Sequence, residues 1–173
     1  MEPFTVSSSG RHYDITVEEV KQPNDELIRT LIDIDLQTFA ESTFSHYMAA
    51  SFLHHGCVFL LRANGEVIGT CVLARTWDRP NEAVMLSMGI RPGWRGRGLG
   101  QRFVGATLDR LQAKGLRAVS LLVGTVNSRA IKLYEEMGFE VTDPEALRDP
   151  RTGEAYMRMR RQLRDDAAIA SLA

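Results

Sequence analysis

The chain has 173 residues, 44% of them hydrophobic and 25% charged, which suits one soluble globular domain and excludes a disordered or fibrous chain. Lys and Arg number 21 against 22 for Asp and Glu, and a formal net charge of −1 excludes any global pull toward nucleic acid or an anionic membrane, so a basic site has to be local. No apolar run approaches the roughly 20 residues of a membrane span, and MEPFTVSSSGRHYD lacks the basic-then-apolar pattern of a signal peptide, so a cytoplasmic protein with no membrane or nucleic-acid partner is expected.

Residues 1–12 are polar and carry Ser and Gly, and they predict a flexible lead to a single domain over 13–163, whose first strand lies around Tyr13–Val20. Asn24 or Asp25 can cap a helix in which Leu27, Ile28, Leu31, Ile32, Ile34 and Phe39 recur at helical spacing. A second helix is expected from near Thr43 to Gly56, with Phe44, Tyr47, Met48 and Phe52 as its apolar residues. CVFLLRANGEVIGTCVLARTW follows, two strand-forming runs about Asn64-Gly65, the strongest hairpin signal in the chain. A two-residue turn there pairs Cys57 with Val72 and Val58 with Cys71, so alternation sets the cysteines on opposite faces and no disulfide is expected. Neither cysteine has a C-x-x-C partner or a histidine at ligand spacing, so no metal is expected.

EAVMLSMGI reads as a third adjacent strand, and RPGWRGRGLG, residues 91–100, joins it to a helix with Leu99, Phe103, Val104, Leu108 and Leu111 on one face. RAVSLLVGT is a buried type of strand. NSRAIKLYEEM is a short helix capped at Asn127 or Ser128, ended by Gly138, and FEVT opens another strand. DPEALRDPRTGE reads as a long loop, AYMRMRRQL as the last strand, and residues 164–173 as a frayed tail.

A strand that feeds a helix through Gly96, Gly98 and Gly100 frees backbone N–H groups where the helix dipole favours an anion, and Arg95, Arg97 and Arg102 can add charge-assisted bonds. The dinucleotide fingerprint G-x-G-x-x-G fails in both registers, since its third glycine falls on Gln101 or Phe103. The nucleotide P-loop fails too, because no Gly-Lys-Ser/Thr follows. An RNA-binding loop is disfavoured by the absence of aromatic interleaving beyond Trp94.

Arg95, Gly98 and Gly100 do fit R-x-x-G-x-G, and NSRAIKLYEEMGF fits N-x-x-A-x-x-L-Y-x-x-x-G-F at Asn127, Ala130, Leu133, Tyr134, Gly138 and Phe139. On these two motifs, one helix and one strand apart, the chain resembles the GNAT superfamily of N-acetyltransferases. The resemblance implies a mixed α+β fold: a mostly antiparallel twisted sheet of six or seven strands, flanked by about four helices and splayed between the strands ending near Ile90 and starting near Ala118. It implies acetyl-coenzyme A as co-substrate, an amine-bearing acceptor as partner with a homodimer as one allowed assembly, and acetyl transfer to a primary amine by direct attack on the thioester. A non-catalytic acyl-coenzyme A sensor of the same fold is the alternative.

By the same resemblance Tyr134 is the acid that protonates the leaving thiolate. Met88, Gly89 and Ile90 hold the pantetheine arm and polarise the acetyl carbonyl, Arg95, Gly96, Arg97, Gly98, Leu99, Gly100, Gln101 and Arg102 hold the pyrophosphate, and Asn127 and Ala130 lie against the coenzyme. For the base, Glu82 shares a strand face with Val84, Leu86 and Met88; histone-modifying relatives carry their glutamate where this chain has Val84, and Glu41 or a water chain are rivals. Asp33, Asp35, Glu41, Asp78 and Glu82 offer negative charge to an amine. His46, His54 and His55 read as surface or packing residues.

Overall fold

The computed structural model describes residues 4–8, 11–39 and 44–163. Eight strands are described: β1 (Phe4–Ser8), β2 (Arg11–Glu19), β3 (Cys57–Ala63), β4 (Glu66–Arg75), β5 (Glu82–Ile90), β6 (Ala118–Gly124), β7 (Glu140–Arg148) and β8 (Ala155–Gln162). They hydrogen-bond in the order β1-β2-β3-β4-β5-β6-β8-β7. The helices are α1 (Asp25–Phe39), α2 (His46–His55), α3 (Leu99–Ala113) and α4 (Ser128–Glu136). This is the mixed α+β, mostly antiparallel fold expected, with eight strands in place of six or seven. The added strand is β1, which pairs with β2 from Phe4↔Ile15 to Ser8↔Arg11 within the stretch read as a lead. Glu41, Thr43 and the tail at 164–173 lie outside the described residues.

The chain divides into two compact units, Met1–Ala74 with Leu86–Thr107, and Arg75–Met85 with Leu108–Ala173. In the first, Asn24 accepts the Leu27 N–H at 2.9 Å and Asp25 and Glu26 sit at the positive end of α1, which explains where that helix begins. Ile28 and Leu31 of α1 join Ala49 and Leu53 of α2 and Val58, Leu60 and Val72 of the hairpin in one buried cluster. The buried face of α2 is thus Ala49 and Leu53, while Tyr47 is 81% exposed and Met48 41%, against the apolar set expected from sequence. Helix α2 starts at His46 because Ser45 accepts the Met48 N–H. It stops at Gly56, where a Cβ would meet the Phe52 carbonyl oxygen at 2.8 Å.

Asn64 (φ 47°) and Gly65 (φ 88°) form the primed turn that closes the β3–β4 hairpin. The register nevertheless departs from the one implied by that turn. A bulge after Leu61 pairs Leu61 with Gly69 and Arg62 with Val67, so Cys57 faces Leu73 and Phe59 faces Cys71. One inserted residue flips the faces: Cys57 and Cys71 lie on the same face as diagonal neighbours. Both are free. Diagonal positions stand about 7–8 Å apart, beyond the reach of a disulfide, so the expected absence of a bridge has a different cause. Thr107 of α3 lies beside Cys71, and its buried Oγ1 has no hydrogen-bond partner among the described residues.

In the second unit β5 runs parallel to β6 from Glu82↔Ala118 to Met85↔Leu121, where the register ends. Strand β8 pairs antiparallel with β6 and β7. Leu121, Met159, Tyr134 and Phe139 are buried there. The loop expected over DPEALRDPRTGE is half strand, since β7 continues to Arg148 through two register shifts. Pro144 is tolerated because β7 is an edge strand and needs no N–H on its open side. The chain turns only at Asp149–Glu154, where Asp149 accepts the Arg151 N–H at 2.7 Å and Gly153 takes φ 74°.

Candidate functional site

In the first unit β5 ends at Ile90 and a 3-10 turn at Pro92–Trp94 leads to the glycines. Gly96 (φ 79°) and Gly98 (φ 72°) occupy the left-handed region, where a side chain costs about 1–2 kcal/mol, and nothing lies within 4 Å of a Cβ built on either. Helix α3 starts at the next residue, Leu99, with Gly100 and Gln101 in its first turn. Left-handed residues ahead of a 15-residue helix make an open concavity of backbone amides at a dipole's positive end, which fits a phosphate group.

The arginines of this loop divide by partner. Arg95 donates from Nε to the Ile90 carbonyl at 2.7 Å and from Nη2 to the Gln37 carbonyl at 3.0 Å. Arg97 donates to the Gly93 carbonyl and lies 5.1 Å over the Trp94 ring, and Arg102 lies 4.5 Å over the Phe4 ring. Stacked guanidiniums are held by weak contacts that an anion can replace. Of the pantetheine candidates, Met88 is half-buried, and Gly89 is pressed so near α1 that a Cβ would sit 2.5 Å from Thr38 Oγ1. Beside it Ser87 donates to Asp35 at 3.0 Å, both side chains being buried.

In the second unit Tyr134 is 8% exposed, stacks edge-on with Phe139 at 5.5 Å, and its hydroxyl approaches Met85 Sδ at 3.9 Å. Asn127 is the N-cap of α4: its side chain accepts the Ala130 N–H at 3.1 Å. Glu82 is held by arginines. Arg160 reaches Oε1 at 2.7 Å and Oε2 at 3.3 Å, Arg79 adds Oε2 at 3.1 Å, and the carboxyl is held below its ordinary range, first by the Arg160 hydrogen bond. These side chains line an open cavity of about 280 Å³ with Pro80, Asn81, Arg117 and Gln162.

Alternation separates Glu82 from Tyr134. Glu82, Val84 and Ser120 share a face with Arg160, whereas Met85, Leu121 and Met159 occupy the other, the one the Tyr134 hydroxyl meets. Arg160 and Arg79 were not singled out from the sequence, nor were Gln37, Thr38 and Ser87. The one available signal was the alternating arginine of AYMRMRRQL at position 160. Among the described residues, no three His, Cys, Asp or Glu side chains could hold a metal, and no helix is long and apolar enough to cross a membrane.

A turn of left-handed glycines opening a long helix beside such a sheet is a form suited to an anion. The Acetyltransferase (GNAT) family profile matches residues 24–139, more than half of the chain, and the chain belongs to that family. A mycothiol acetyltransferase of Paenarthrobacter aurescens is 33% identical over 100 residues, 56% of this chain and 31% of that one. The ribosomal protein bS18-alanine N-acetyltransferase of Escherichia coli is 28% identical over 101 residues, 58% of this chain and 64% of that one. A crystal structure of the ribosomal-protein-S18-alanine N-acetyltransferase from Escherichia coli has the same fold, with TM-score 0.72 at 20% identity over 86% of this chain and 93% of that one. A Bacillus subtilis acetyltransferase in complex with coenzyme A gives TM-score 0.67 at 19% identity over 87% and 99%. The chain thus spans about a third of the mycothiol enzyme and just under two thirds of the ribosomal-protein enzyme.

Proposed function

We propose that this chain is an acetyl-coenzyme A-dependent N-acetyltransferase acting on a primary amine. The observation that carries the reading is the pair of left-handed glycines, Gly96 and Gly98, opening α3. Amides of 97–101 receive the pyrophosphate, with Arg97 and Arg102 swinging from their aromatic neighbours to add charge. Bound acetyl-coenzyme A supplies the activated acyl group. Backbone groups of Met88–Ile90 hold the pantetheine arm and polarise the carbonyl, while Tyr134 protonates the departing thiolate. Asn127 contributes indirectly, by fixing the first turn of α4 and so the helix that carries Tyr134.

Glu82 serves as an anchor and not as the base. A carboxylate already satisfied by two arginines, with its proton affinity lowered, is a poor proton acceptor. An alkylamine of pKa about 10 is neutral in roughly one part in a thousand at pH 7, and water carries its proton away. Holding the reactants in place can remove roughly 7–11 kcal/mol of barrier, while a positioned base adds about 10²–10⁴-fold, so the reaction proceeds without one. The name of one relative gives a ribosomal-protein alanine as the residue that it acetylates on nitrogen, an amine of the class proposed, and the cytoplasm is the expected place of work.

One observation favours a second reading, a coenzyme sensor without turnover: the Tyr134 hydroxyl is buried against a thioether. Thiol release from acetyl-coenzyme A with a panel of amines separates the two. Amine-dependent release that falls about 10²-fold in Tyr134→Phe, with coenzyme affinity kept, supports the enzyme. Tight coenzyme binding with no release across the panel supports the sensor.

A further inference from the structure

We propose that Arg95 is a positioning residue that ties α1 to the end of β5 and the glycine loop, and that it is not a phosphate ligand. The proposal rests on the acetyl-coenzyme A reading of the loop. Four ties, all within the first unit, join the last turns of α1 to residues 87–95. Asp33 pairs with Arg91 at 2.6 Å. Asp35 accepts from Ser87 inside the core. Arg95 bridges the Gln37 and Ile90 carbonyls. Thr38, whose hydroxyl is fixed on the Ile34 carbonyl at 2.7 Å, presses on Gly89 so closely that only glycine fits.

Arg95 is the member of this set that reaches both partners at once. Its planar fork spans a carbonyl on α1 and one on β5, 58 and 5 residues away in sequence. Turning the guanidinium to a pyrophosphate would break both bonds and take this partner from the part-buried Ile90 carbonyl. A lysine carries the same charge on a single point and cannot make the two-sided contact. The acidic residues Asp33 and Asp35, counted as candidates for attracting an amine, are taken up in the same set of ties. The loop therefore takes its binding geometry from α1.

The test uses the full chain with Arg95→Gln and Arg95→Lys, first without coenzyme. Hydrogen exchange at 33–39 and 87–95 is expected to speed up at least about tenfold in both variants, the worth of one charge-assisted hydrogen bond. Coenzyme A affinity by calorimetry is expected to fall about tenfold in both, with its salt dependence unchanged because no phosphate contact is lost. The KM for acetyl-coenzyme A should rise with kcat kept. Exchange unchanged in the absence of coenzyme, or affinity restored by Arg95→Lys with weaker salt dependence in Arg95→Gln, overturns the proposal. Should the unmodified protein bind no coenzyme A, the functional reading fails on that result, while the exchange data still decide whether Arg95 ties α1 to the loop.

Discussion

At the loop end of β5, Arg95 gives its guanidinium to two neutral carbonyls; at the strand's first residue, Arg160 gives its guanidinium to the Glu82 carboxylate. The same side chain has opposite chemical consequences. Neutral partners engage the guanidinium of Arg95 in fixing the backbone beside the glycines. A carboxylate partner cancels both charges and lowers the proton affinity of Glu82. Arginine near a site therefore signals anion binding only once its partner is known.

The largest effect that could sharpen this contrast is expected from Arg160→Ala. Glu82 is only 14% exposed and loses its bidentate partner, so denaturant unfolding should show a loss of about 1–3 kcal/mol. An unchanged stability would break the anchor assignment. Gly98→Ala comes next, at about 1–2 kcal/mol for a side chain forced into the left-handed region, together with weaker coenzyme A binding. Unaltered affinity there would argue against the loop as a phosphate cradle.

Acid titration probes the Glu82 end by a different route. Its folded pKa lies below that of the unfolded chain, so the pair contributes fully above the ordinary glutamate value of about 4.3, and that contribution disappears as pH falls through the lowered folded value. Glu82→Gln should therefore flatten the acid limb of stability against pH. It should also reduce acetyl transfer less than about tenfold, and a loss in the 10²–10⁴ range expected of a general base would restore Glu82 to that role. The smallest effect is expected from Arg79→Ala, an exposed second partner whose loss costs under about 1 kcal/mol in the same unfolding measurement.

Local signals in the sequence were dependable wherever the cause is local. Asn64-Gly65 marks a primed turn and Asn127 a helix cap, because each depends on backbone geometry over a few positions. Errors arose where partners are distant. The bulge after Leu61 depends on how β3 and β4 meet, and it reversed the relation between the cysteines. β1 hid in a Ser-rich stretch because its pairing with β2, not its own composition, makes it a strand. β7 crosses Pro144 because only its place at the sheet edge permits it. The family motifs located Tyr134, Asn127 and the loop. They could not show that Glu82 meets an arginine 78 residues away, or that Arg95 reaches across 58 residues to α1.

The bulged hairpin leaves one more consequence. Burial holds the Cys71 thiol well above its ordinary pKa, whereas Cys57, half-buried on the same face, turns its sulfur toward Glu19 at 3.7 Å. A thiol that cannot ionise in place reacts with an alkylating reagent only after the strands part. The two cysteines thus form a built-in stopwatch: Cys57 starts it in the folded protein, and the delay before Cys71 is labelled reads how often the middle of the hairpin opens.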